Sequence, residues 1–204
     1  MAKLYFCYIT LIKLKYIDFL AVATLEQSVL DKIGAKNMSA EIQERYDSAL
    51  NAYIAQYPVP VISIAKHMGI EVFETPDFDD SISGELTKNN DKFEITLNSN
   101  HAPTRRRFTL AHEIGHYVLH QNEFTTSQTI TDYKVAMQRS TNSYLPEQRM
   151  LEVEANQFAA KLLMPDEEFI QKWQDGLTIS RLADYFFVSE NTANIRAYNL
   201  GLIS

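Results

Sequence analysis

The feature that most constrains this chain is the run Phe108-Thr109-Leu110-Ala111-His112-Glu113-Ile114-Gly115-His116-Tyr117-Val118-Leu119-His120. Its apolar residues recur at helical spacing, which predicts a largely buried helix. An α-helix turns about 100° and rises about 1.5 Å per residue, so His112 and His116 lie one turn apart on one face. Two imidazoles so placed can share one tetrahedral zinc, and Glu113 between them can act as a base on a water at an open coordination position. The plain alternative is a core helix that happens to carry polar residues. Three titratable side chains on one apolar helix are costly to bury without a partner or a task, so the metal reading is preferred.

A zinc needs at least three protein ligands. His120 is the nearest candidate, but it sits eight residues beyond His112, about 12 Å along a continuous helix axis. That exceeds the reach of two zinc–nitrogen bonds of about 2.1 Å each. Nor does the chain carry the longer pattern that places a glycine before a third histidine. His120 is expected to line the cleft or to stabilise the helix end. The better third ligand lies in Glu152-Val153-Glu154-Ala155-Asn156-Gln157-Phe158-Ala159-Ala160. Ala155, Phe158, Ala159 and Leu162 mark a buried helix face whose small residues permit close approach to the histidine helix. Glu152 and Asn156, four apart, share a face. Glu152 can therefore ligate while Asn156 accepts a hydrogen bond from the far nitrogen of a ligand histidine. Glu154, turned about 200° from Glu152, is expected to be solvated or to pair with an arginine.

Two histidines and one carboxylate leave a fourth position open, which is the catalytic arrangement. Zinc lowers the pKa of a water to about 7, and Glu113 can take its proton as it attacks a carbonyl carbon. The inferred chemistry is peptide-bond hydrolysis. Tyr133, Tyr144 and His120 are the candidates for a transition-state donor. Spacing alone leaves other divalent metals, such as manganese or iron, open.

The remainder of the chain supplies a scaffold. Ser39 can cap a helix with Ile42, Tyr46, Ala49, Leu50 and Tyr53 inward, broken by Tyr57-Pro58-Val59-Pro60. A short helix from Val61 to Met68 ends at Gly69. Ile70–Phe73, Ile82–Leu86 and Phe93–Leu97 read as strands, the last two joined through Asn89-Asn90-Asp91. Arg105, Arg106 and Arg107 crowd the first turn of the histidine helix, where cations oppose the macrodipole. They are expected to find carboxylates, among the acidic residues after 146, or in part to be solvated. Residues 121–146, rich in Thr and Ser, read as a long loop over or beside the site. Helices then follow over Pro146–Leu163, Glu167–Trp173 and, as a pair, Leu177–Tyr198.

Residues 1–37 are apolar, yet Lys13, Lys15 and Asp18 interrupt them, which argues against a membrane span and against a signal peptide. They read as an appendage docking on the domain or a partner, or as residues upstream of a start at Met38. A net charge of −7 argues against a broad electrostatic footprint for nucleic acid. The single cysteine, Cys7, fits a reducing, cytoplasmic setting.

Arg107-Phe108-Thr109-Leu110-Ala111-His112-Glu113-Ile114-Gly115-His116, followed by Glu152-x-x-Ala155-Asn156-x-Phe158-Ala159-Ala160-x-Leu162-Leu163-Met164-Pro165, resembles the ImmA/IrrE family of zinc metallopeptidases. The resemblance covers roughly residues 39–204. It implies an α+β, mostly helical zincin-like domain over residues 38–204. A small sheet would lie beside the histidine helix, with a helix-turn-helix-like pair at the C-terminus. By the same resemblance His112, His116 and Glu152 match the ligands of one zinc ion, and Glu113 the catalytic glutamate. It further implies a bacterial or phage cytoplasmic protein that cleaves a helix-turn-helix repressor or antitoxin.

Two function classes follow. One is a site-specific metallopeptidase. The other is a non-catalytic regulator of the same fold that binds a repressor or DNA. The run Ile179–Ala193 itself resembles a helix-turn-helix. Its charges between 178 and 204 are Arg181, Arg196, Asp184 and Glu190, which sum to zero, so packing or partner docking is preferred to DNA reading.

Overall fold

The computed structural model describes residues 39–53, 56–89, 92–121, 128–133 and 146–204, with 128–133 and 146–148 described by backbone alone. The expected appendage over residues 1–37 lies outside the described residues. So do Asn90 and Asp91 of the expected turn and most of residues 121–146.

The described elements, in chain order, are α1 (Ala40–Tyr53), α2 (Val61–His67), β1 (Ile70–Thr75), β2 (Ile82–Asn89), β3 (Lys92–Asn98), α3 (Pro103–His120), β4 (Gln128–Tyr133), α4 (Pro146–Leu163), α5 (Asp166–Gln174), α6 (Ile179–Phe186) and α7 (Glu190–Asn199). The fold is α+β and mostly helical. Ser39 Oγ accepts from the Ile42 amide at 3.4 Å, and Ile42, Tyr46 and Ala49 are buried along α1. Gly69, at φ +79°, takes the left-handed turn that separates α2 from β1. No helix among the described residues is long and apolar enough to cross a membrane.

The sheet has the order β1-β3-β2-β4. β1 runs parallel to β3, while β2 is antiparallel to both β3 and β4. β4 corrects the expectation of an unbroken loop over 121–146. Its sequence, Gln-Thr-Ile-Thr-Asp-Tyr, has too few apolar residues to advertise a strand. The exposed edge of β2 supplies its hydrogen bonds, and such long-range pairing overrides local composition.

Leu86, Ile95 and Leu97 from the sheet meet the interior with Ile64 and Ala65 of α2 and Leu110, Ala111, Ile114 and Val118 of α3, all buried. Phe93 meets Tyr117 edge-on, with ring centroids 4.8 Å apart. A Cβ on Gly84 would sit 2.7 Å from Thr109 Cγ2, so the missing side chain lets α3 lie against β2. Gly115 does the same on the other side of α3. A Cβ there would come within 3.2 Å of the Ala155 backbone and 3.1 Å of Phe158 Cδ1 on α4. The close approach expected of the alanines on α4 therefore also depends on this glycine.

The expectation for the three arginines is met in part: one of them finds a carboxylate, on β1 rather than after 146. Arg106 pairs with Glu74 of β1, and Arg105 Nη2 donates to Ser83 Oγ of β2 at 2.6 Å. Among the described residues neither is paired with an acid beyond 146, since the start of α3 faces the sheet. Arg107 is half-buried, and burial lowers its guanidinium to about 10.

Pro165 stops α4, since proline has no amide hydrogen to continue it. Arg196 of α7 then donates from Nε and Nη2 to the Met164 carbonyl, at 3.1 and 2.9 Å, and also pairs with Asp166. Phe169 stacks on Phe186 at 5.5 Å, and Tyr57 stacks on Tyr185 at 5.6 Å, which fastens the C-terminal helices to the body.

Candidate metal centre

Helix α3 carries His112, Glu113 and His116, and α4 faces it with Glu152 and Asn156. Burial of His112, Glu113 and His116 is nearly total, at 2%, 0% and 1% exposed. The Nε2 atoms of His112 and His116 are 3.0 Å apart. The Glu152 carboxylate lies 3.3 Å from His112 Nε2 through Oε2 and 3.4 Å from His116 Nε2 through Oε1. One ligand atom from each residue thus falls within 4.8 Å of the others. Ligands about 2.1 Å from a tetrahedral ion are separated by about 3.4 Å, so the spacing suits a small cation.

The chemistry of the three groups suits one too. Burial pushes the His116 imidazole down to about 4, opposed by the neighbouring Glu152 carboxylate, so the ring is neutral near pH 7. Burial alone would raise the Glu152 carboxyl. The His112 and His116 rings beside it outweigh that and hold it well below the usual carboxylate range. Neutral imidazole and ionised carboxylate are the protonation states in which these side chains ligate metals. His112 Nδ1 lies 3.2 Å from Asn156 Oδ1, as helix phase predicts for an oxygen that accepts the far N–H. That tautomer leaves the lone pair on Nε2, facing the centre. The residues present fit a metal.

The chain matches the family model Peptidase M78, the IrrE N-terminal-like domain, over residues 65–198. That span is well over half of the chain and contains α3, α4 and every residue of the centre. The chain belongs to the peptidase M78 family. No curated protein matches it. Membership gives this domain a metallopeptidase-type function and hence a metal, and His112, His116 and Glu152 form a possible site for that metal.

Of the other residues that sequence singled out in this M78 domain, Tyr144 and the side chain of Tyr133 fall outside the described part. His120, the last residue of α3, is 4% exposed. Its Nδ1 lies 3.0 Å from His116 Nδ1, and its Nε2 lies 2.9 Å from Glu154 Oε2. Glu154 is therefore neither solvated alone nor an arginine partner. Helix phase fixes the direction of a Cα–Cβ bond, but not the reach of a glutamate or the path of the helix crossing it. The available signal was the third histidine at i+4 from His116, on the same face.

Proposed function

We propose that the chain is a zinc-dependent endopeptidase whose metal is held by His112, His116 and Glu152, with Glu113 as its catalytic residue. The observation that carries this reading is the convergence of three ligand atoms from two helices within 4.8 Å, in a domain of a peptidase family. Zinc, when bound, would polarise the scissile carbonyl and render a water acidic enough to attack it. Glu113 stands next to the first ligand on α3, fully buried. In a site that excludes bulk water its carboxylate takes one proton from the attacking water and returns it to the leaving amine. Water adds to the carbonyl carbon, the C–N bond breaks, and the products are a carboxylate and an amine. Asn156 holds the His112 ring, so that ligand geometry is set before substrate arrives.

For the substrate we propose a helix-turn-helix repressor or antitoxin, cleaved in the cytoplasm to release the genes it silences. The support is the likeness of the two motifs to ImmA/IrrE peptidases. The rival, a non-catalytic regulator that binds a repressor or DNA, would use α6 and α7. One of the two arginines between 178 and 204, Arg196, is 5% exposed and engaged with Met164 and Asp166, so it is withheld from phosphates. That favours a protein partner over nucleic acid.

The test is to incubate the zinc-loaded protein with the helix-turn-helix protein encoded beside its gene, and to detect products by intact mass. Glu113→Gln and chelated samples run alongside, with manganese and iron reloading as further arms. One metal-dependent cut, lost in Glu113→Gln, is the expected result. Stable binding without a cut under any of these conditions would favour the regulator. Cleavage that survives Glu113→Gln would overturn the role given to that residue.

A further inference from the structure

We propose that His120 and Glu154 form, with His116, a hydrogen-bonded chain that fixes the tautomer of His116 and sets how tightly the centre holds its metal. The inference rests on the reading of His112, His116 and Glu152 as ligands and extends it to two positioning residues.

The direction of the chain follows from its far end. Ionised carboxylate oxygens only accept hydrogen bonds. At 2.9 Å from Glu154 Oε2, the Nε2 atom of His120 must therefore carry the hydrogen. A neutral ring protonated at Nε2 has its lone pair at Nδ1. That lone pair lies 3.0 Å from His116 Nδ1, which is the donor when the His120 ring is neutral. His116, protonated at Nδ1, is left with its lone pair on Nε2, the atom that meets His112 and Glu152. Glu154 thus determines, through two imidazoles, which nitrogen of His116 faces the centre. The opposite polarity would put a hydrogen where the cation must bind, and would set a lone pair against a carboxylate.

The two ligand histidines are consequently held by different means. His112 meets the neutral amide oxygen of Asn156 directly, at 3.2 Å. His116 is backed by an anion at one remove. Hydrogen bonds in series polarise one another, and a charged acceptor strengthens its bond, so electron density at His116 Nε2 rises. All members but Glu154 are nearly fully buried; its side chain is 28% exposed, so its charge keeps some solvation. Glu154 and the ligand Glu152 are carried on one helix, α4, so that both ends of the device are placed together.

The experiment measures zinc affinity of the full chain by competition with a chromophoric chelator, together with the melting temperature of metal-free protein. The variants are His120→Phe, Glu154→Ala, Glu154→Gln, the double His120→Phe/Glu154→Ala, and Glu152→Ala as the ligand control. Loss of such outer hydrogen bonds typically weakens metal affinity by about 10–100-fold. His120→Phe is expected in that range and Glu154→Ala at or below its lower end. Glu154→Gln, whose amide oxygen still accepts, should recover most of the loss. Glu154 acts only through His120, so the double variant should bind zinc no more weakly than His120→Phe alone.

A merely structural pair would lower the metal-free melting temperature and leave zinc affinity unchanged, which would overturn the proposal. Additive losses in the double variant would overturn it as well. If His120→Phe does not fold, the comparison of Glu154→Ala with Glu154→Gln decides, because that side chain is partly exposed. No zinc binding by the wild type, or none lost in Glu152→Ala, would sink the ligand reading and the proposal with it. Tight binding that needs Glu152 but ignores His120 and Glu154 would sink the chain alone.

Discussion

Two helix pairs in this molecule bury charged or polar side chains, and they do so to opposite ends. In α3 and α4 the buried groups converge. His112, His116 and Glu152 direct acceptor atoms at one point, and each imidazole has its other nitrogen held from behind. Where α7 meets the junction of α4 and α5, the buried group closes on its own partners. Arg196 places its donors on the Met164 carbonyl and on Asp166, where the chain has just been broken by Pro165. Buried polarity therefore does not by itself mark a site. What separates the two cases is whether the buried groups tie parts of the frame together or bring three possible metal ligands to one point.

The comparison breaks most completely at Glu152. Glu152→Ala removes the carboxylate of the proposed ligand set, and metal-dependent cleavage should fall below detection, as it should after chelation. The metal content of purified protein, read by mass spectrometry, checks the cause. Glu113→Gln should lower cleavage by about 10²–10⁴-fold with metal content unchanged, the range for losing a positioned general base. A fall in both would instead show that Glu113 helps to hold the ion.

Next comes the contact that lets the two helices approach. A Cβ at Gly115 would stand 3.2 Å from Ala155 backbone atoms, which cannot turn aside as a flexible side chain can. Gly115→Val should cost about 1–3 kcal/mol, the range for overpacking a close contact. Glu152 should also be displaced from the histidines, so zinc affinity should fall along with stability in a chelator competition. Lower stability with unchanged affinity would mean that the centre tolerates separation of its helices.

Much of this contrast was legible in the chain, for reasons of scale. The spacing of His112 and His116, the phase of Glu152 and Asn156, and the breaks at Gly69 and Pro165 are properties of single helices, which sequence encodes within a few residues. The three early strands follow equally from local periodicity, while the α+β class came with the resemblance of the two motifs. What escaped depends on meetings between distant segments. β4 is a strand because the edge of β2 accepts it. Arg106 answers to Glu74 on β1, 32 positions away, rather than to acids after 146. His120 and Glu154, 34 positions apart, are one step behind the proposed ligands, and their partnership depends on how α3 and α4 cross.

The smallest expected effect sharpens the comparison from its other side. Arg196→Leu keeps the apolar stem of the side chain but leaves the Met164 carbonyl without its two donors and Asp166 without its cation. Asp166 is 40% exposed and can be resolvated, so the ion pair adds little and the buried carbonyl sets the scale. Leaving it unsatisfied costs about 1–2 kcal/mol, or about 2–8 °C in melting temperature for a chain of this size. Zinc affinity should not change, because the lost bonds tie α7 to the junction of α4 and α5, more than two turns beyond Glu152. Calorimetry and the chelator competition read the two quantities separately. A lower melting temperature at constant affinity would establish that one helix pair serves the frame and the other the metal. A parallel fall in affinity would mean that the junction at Met164 also sets the position of Glu152, and that the division drawn between the two pairs is wrong.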